Sequence, residues 1–127
     1  MKDIILGGGG FMATNSMFYK RSLRENYPAW AQNAPVSDVT WMLVFSTYGK
    51  VGYINEVLSV YRCLALGSWM SRIKGNAKFY YNHNKAIRKM YIGYNNWSNG
   101  KFFKYIFRRQ LINELSTIKR LVISLLS

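Results

Sequence analysis

Cysteine occurs once in this chain, at Cys63, and histidine once, at His83. A single thiol closes no internal disulfide and makes no cysteine zinc site, so nothing marks a stapled extracellular domain, and a reducing interior is the default. His83 stands among Asn82, Asn84 and Lys85 with no clustered carboxylate, which excludes a histidine metal site or a catalytic triad built around it. It reads as a surface residue. Long apolar runs are missing as well. The start "MKDIILGGGGF" is too short for a signal-peptide core or a membrane span, so neither export nor spanning is indicated. The glycines from Gly7 to Gly10 lack the Gly-Lys-Ser or Gly-Lys-Thr ending of a phosphate-binding loop and read as a flexible connection.

Acidic residues are scarce. Five Asp and Glu face eighteen Lys and Arg, a formal charge of +13, which draws the chain toward phosphates, nucleic acid or an anionic membrane. Asp3 and Asp38 are the only aspartates, and Asp38 is the sole acid between Glu25 and Glu56. A reaction needing a base in that region has one obvious candidate. The competing role is structural, because an acid in the first turn of a helix favours the positive end of the dipole, and Ser37 or Asp38 can cap its amides. With 127 residues there is room for one compact domain; half of them are hydrophobic and 17% aromatic, so the chain either buries surface or exposes sticky patches.

Along the chain, β-compatible residues in "FMATNSMFYKRSL" follow the glycines and suggest a strand entering a short helix or turn, and "RENYPAWAQNAP" reads as loop. From Ser37, the spacing of Trp41, Phe45 and Tyr48 with Met42 and Val44 predicts an apolar-faced helix that stops at Gly49. "KVGYINEVLSVYR" then alternates Val, Ile and Tyr with polar residues, as two short strands or one bent strand do. Beyond "CLALGSWMS" two basic helices are expected, separated by "NNWSNG". In the last, Phe103, Phe107, Leu111, Leu115, Ile118, Val122 and Leu125 recur at steps of three or four, with Lys101, Lys104, Arg108, Lys119 and Arg120 elsewhere.

Three stretches in order, "TNSMFYKRSL", "SDVTWMLVFSTYGK" and "GKVGYINEVLSVYR", together with "GSWMS", resemble the second half of the catalytic domain of family 2 inverting glycosyltransferases. The resemblance runs over roughly residues 8 to 72 and implies an α/β fold, the acceptor-side half of a GT-A domain. It implies that Asp38 is the general base, taking the proton of an acceptor hydroxyl that attacks the anomeric carbon of a nucleotide-sugar. It assigns substrate binding to Arg62 and Trp69. Leu64 departs from the family pattern, standing where a His usually follows the Tyr-Arg pair, here Tyr61 and Arg62. The nucleotide-binding half and its Asp-x-Asp metal motif have no counterpart, so no metal site is expected in this chain, whereas a complete parent enzyme would use Mn²⁺ or Mg²⁺.

The resulting expectation is a partial glycosyltransferase domain over 1–72 and a basic helical region over 73–127. Its function would be sugar transfer from a nucleotide-sugar to a glycan or lipid-linked acceptor in surface polysaccharide synthesis. As a truncated gene product or one piece of a split enzyme, it would be inactive alone. The alternative is a small basic module without catalysis. Nucleic acid is the weaker partner for it, because basic residues interleave with aromatics after Arg72 but form no recognised module. An anionic membrane is the stronger partner, with the last helix peripheral on the cytoplasmic face, Phe103, Phe107, Leu111, Ile118 and Val122 toward the acyl chains and Lys104, Arg108 and Arg109 at the headgroups. The same apolar face would otherwise pack on the domain or on a second copy, and exposed apolar surface would drive self-association.

Overall fold

A computed structural model describes residues 1–60, 62, 65–68, 71 and 76–126. Its helices in chain order are α1 (Lys2–Gly7), α2 (Ala29–Gln32), α3 (Ser37–Tyr48), α4 (Ala77–Trp97) and α5 (Phe103–Leu126), with 3₁₀ turns at Gly8–Gly10, Thr14–Ser16 and Arg21–Arg24. Helix α3 is apolar nearly all round, and Val39, Thr40, Met42, Leu43, Val44 and Phe45 are all buried. Such a helix belongs in the middle of a fold. Helix α4 begins at Asn76, whose side chain accepts the Phe79 amide (2.9 Å), one of the donors a helix start leaves unpaired. It ends in a turn where the Gly100 amide returns to the Asn95 carbonyl (2.8 Å), and α5 runs back along α4.

The expected α/β class is overturned: the described residues contain no strand and no sheet, and the small domain is all-α, with no partial GT-A layer. Two physical causes stand out. In "TNSMFYKRSL" the small polar residues bond locally, Ser16 Oγ to the Ala13 carbonyl (2.7 Å) and the Met17 amide to the Thr14 carbonyl (3.4 Å), which makes turns of what reads as strand. From residue 47 to residue 60 every residue is exposed, and 50–60 holds no regular structure. Alternating Val, Ile and Tyr favour a strand, but a ladder needs a second backbone, and helices offer none.

One core joins the two halves of the sequence. Ile4 and Ile5 of α1 and Val39, Met42 and Leu43 of α3 meet Ile87, Met90, Tyr91 and Tyr94 of α4 and Ile106 of α5. A full burial of each is worth about 1.5–3 kcal/mol, so this cluster outweighs any single polar contact in the chain. Trp30 of α2 seals one end, lying 5.9 Å from Tyr94 and 6.2 Å from Trp97 by ring centroids, over Gly93, where a Cβ would meet its ring at 3.2 Å.

Helix α1 ends at Gly8, in a backbone conformation (φ 53°, ψ −138°) that L side chains rarely adopt. A Cβ there would lie 2.6 Å from the Arg109 guanidinium, whereas one at Gly10 would meet nothing within 4 Å. Gly8→Ala should therefore lower the unfolding free energy by about 1–3 kcal/mol, and Gly10→Ala should stay within about 0.5 kcal/mol, as read by urea titration.

Candidate functional site

Asp38 occupies the second position of α3 and is half-buried. No side chain caps this helix; the residue before it is Val36, whose carbonyl accepts the Thr40 hydroxyl (2.6 Å). Asp38 makes up part of that deficit, because its Oδ1 accepts the Val39 amide (2.7 Å). Its Oδ2 accepts the hydroxyl of Thr14, 24 residues earlier (2.6 Å). A carboxylate offers roughly four acceptor directions, so two bonds fix its orientation and leave capacity for a ligand hydroxyl.

The residue opens onto a cleft of about 630 Å³. Thr14 and residues 35–39 form one wall, the Gly8–Gly10 turn another, and Tyr80, His83, Asn84, Ile87, Met90 and Tyr91 of α4 with Arg109 and Asn113 of α5 the rest. Arg109 Nη1 donates to the Leu6 carbonyl (2.8 Å), which anchors α5 on α1 and carries a fixed positive charge to the wall. Tyr91 donates to the Ile5 carbonyl (3.3 Å); burial raises its phenol above the ordinary 10.0, and the Arg109 charge offsets only part of this. At Tyr80, burial acts upward but is outweighed by hydrogen bonds from Ser116 and Asn84 and by the Arg120 charge, so the phenol lies below 10.0. The arrangement sets one carboxylate, Asp38, and one guanidinium, Arg109, on a cleft that also has apolar lining from Ile87 and Met90, so it can offer a ligand hydroxyl an acceptor beside an apolar surface.

Arg62 is exposed and is not among the described residues lining the cleft. Trp69, and with it Tyr61, Cys63 and Leu64, lies outside the described residues. The Mn²⁺ or Mg²⁺ implied for a complete parent enzyme needs several oxygen donors. Among the described residues Asp38 is the one carboxylate lining the cleft, and they hold no group of three His, Cys, Asp or Glu, so the residues described do not fit that ion.

Sequence reading missed three residues of this cleft. Gly8 belongs to a fixed turn instead of a flexible connection, His83 is half-buried on the cleft wall instead of on the surface, and Arg109 faces inward instead of outward. A signal for Arg109 existed: with Asn113, Ser116, Thr117 and Arg120 it forms a polar row at helical spacing, and short polar side chains in such a row suit a helix–helix seam.

Burial holds His83 below its ordinary 6.5. A histidine depressed in the folded state binds fewer protons than in the unfolded chain as pH falls through 6.5, so stability should decline there and level off once the folded form also protonates. Melting curves between about pH 7.5 and about pH 5 should show this loss, and His83→Gln should flatten it.

No protein-family model matches the chain, and no curated protein or solved structure matches it either.

Proposed function

We propose that this chain supplies the acceptor-activating part of a sugar-transfer site, with the nucleotide-sugar held by a nucleotide-binding partner outside these 127 residues. The observation that carries the reading is the placement of Asp38: a half-buried carboxylate, oriented by Thr14 and by the Val39 amide, at the edge of a cleft. Two of the stretches on which the glycosyltransferase resemblance rests meet at that cleft, and the third touches the first outside it. Thr14 of the first bonds Asp38 of the second, and Asn15 of the first donates to the Val60 carbonyl of the third (3.4 Å).

In this reading the acceptor is a hydroxyl of a glycan or a lipid-linked sugar. Asp38 takes its proton as the oxygen attacks the anomeric carbon; the new C–O bond forms while the bond to the diphosphate breaks, and the nucleoside diphosphate leaves with the electron pair. One displacement inverts the anomeric centre. An un-ionised alcohol is a weak nucleophile, and a positioned carboxylate typically contributes about 10²–10⁴-fold to such a step. The partner holds the donor against it, since rate depends on holding both reactants in line. The exposed stretch 50–60, rich in Val, Ile and Tyr, is available to pair with that partner.

Incubated alone with a panel of nucleotide-sugars and Mn²⁺, the chain should neither transfer nor hydrolyse them. Reconstituted with its nucleotide-binding partner, Asp38→Asn should reduce transfer at least about 100-fold with donor affinity nearly unchanged, because the amide keeps the shape and cannot take the proton. Near-normal turnover of that variant would confine Asp38 to starting its helix.

A further inference from the structure

Helix α5 packs with its polar side inward. Arg109 donates to the Leu6 carbonyl, Ser116 pairs with Tyr80 (2.9 Å), Thr117 accepts from Asn84, and the Arg120 guanidinium lies 4.3 Å from the Tyr80 ring centroid. At about 100° per residue, these groups share one side of the helix, and Phe107, Leu111, Leu115, Ile118, Val122 and Leu125 fall within an arc of about 80° on the opposite side. All six are exposed, from 48% at Val122 to 86% at Leu125. The packing of this stripe on the domain, one outcome open to the sequence, is therefore not what the structure contains.

We infer that this outer face of α5 lies on an anionic lipid bilayer, flat in the interface. Charge complementarity selects the occupant. Lys104, Arg108 and Lys119 are exposed and project from the stripe or its border, while the helix's single acid, Glu114, is paired with Arg88 (3.6 Å). A second copy would bring another +13 chain against the same cations, which disfavours a dimer through this face. No helix among the described residues is long and apolar enough to cross a membrane, so the helix lies on the surface and does not span. Six apolar side chains enter the acyl boundary and the lysine and arginine stems reach back to the headgroups. Arg109 takes no part, because the seam with α1 already holds it. This inference is independent of the role of Asp38.

Co-sedimentation with vesicles of phosphatidylcholine alone and of phosphatidylcholine mixed with phosphatidylglycerol tests it. The chain should bind the anionic vesicles at least about tenfold more tightly, with part of the affinity surviving high salt. Substituting Phe107, Leu111 and Ile118 by Ser should remove at least about tenfold of the binding, and Lys104, Arg108 and Lys119 by Gln should abolish the anionic preference. Arg109→Gln gives a contrasting loss of fold stability. Circular dichroism confirms that the exposed-site variants stay folded. Equal or negligible binding to both vesicle types overturns the inference, as does anionic binding that the Ser variant retains in full, which would be charge alone. A concentration-dependent dimer that the Ser variant dissolves, without vesicle binding, would assign the face to a second copy.

Discussion

The rotation of α5, held by Ile106 in the core and by the Arg109 guanidinium set over Gly8 and bonded to the Leu6 carbonyl, is the constraint on which much else depends. It requires glycine at the end of α1, where a Cβ would occupy the guanidinium's place. It sends Ile106 into the core and brings Ser116 and Thr117 to Tyr80 and Asn84. It closes one side of the cleft facing Asp38. The same rotation leaves six large apolar side chains in water. A hydrogen bond to a charged group contributes about 1.5–3 kcal/mol net, and full burial of each stripe residue would contribute a similar amount. On that scale the polar seam alone does not offset the exposed stripe, which is why a covering surface is proposed for it.

Asp38 serves the fold at the start of its helix and, in the proposed function, the chemistry as well. Val36 precedes the helix without a capping side chain, so the Val39 amide relies on Oδ1 of Asp38, while Oδ2 is turned by Thr14. Removing the carboxylate's charge while keeping its shape separates these duties; removing the side chain would mix them.

The three long helices were legible because their signals are local: the run from Ser37 to the stop at Gly49, the break at Asn99 and Gly100, and the three-and-four spacing from Phe103. The strands were misread because β propensity describes a side chain's fit to a pleated surface and says nothing about whether a partner backbone is present; Tyr53, Val57 and Val60 alternate and yet lie in water. Asp38 was visible as an isolated acid, but Thr14 as its partner was not, since nothing in a sequence announces a hydroxyl 24 residues away. The side on which α5 packs stayed open in the sequence between the outward placement of the stripe that the structure contains and its packing on the domain. Periodicity locates an apolar face but not its neighbour, and here the polar row of Asn113, Ser116 and Thr117 marks the packed side.

The rotation of α5 is tested most directly by thiol accessibility without any lipid. With Cys63 replaced by Ser, single cysteines are placed at Leu115, 67% exposed, and at Thr117, 3% exposed and two residues away. With the polar side packed inward, Leu115→Cys should react with a water-soluble maleimide at least about tenfold faster than Thr117→Cys in dilute buffer. Comparable rates, or a faster reaction at Thr117→Cys, would show that the helix turns its apolar stripe toward the protein and would contradict the orientation on which the cleft wall and the proposed lipid-facing surface both depend.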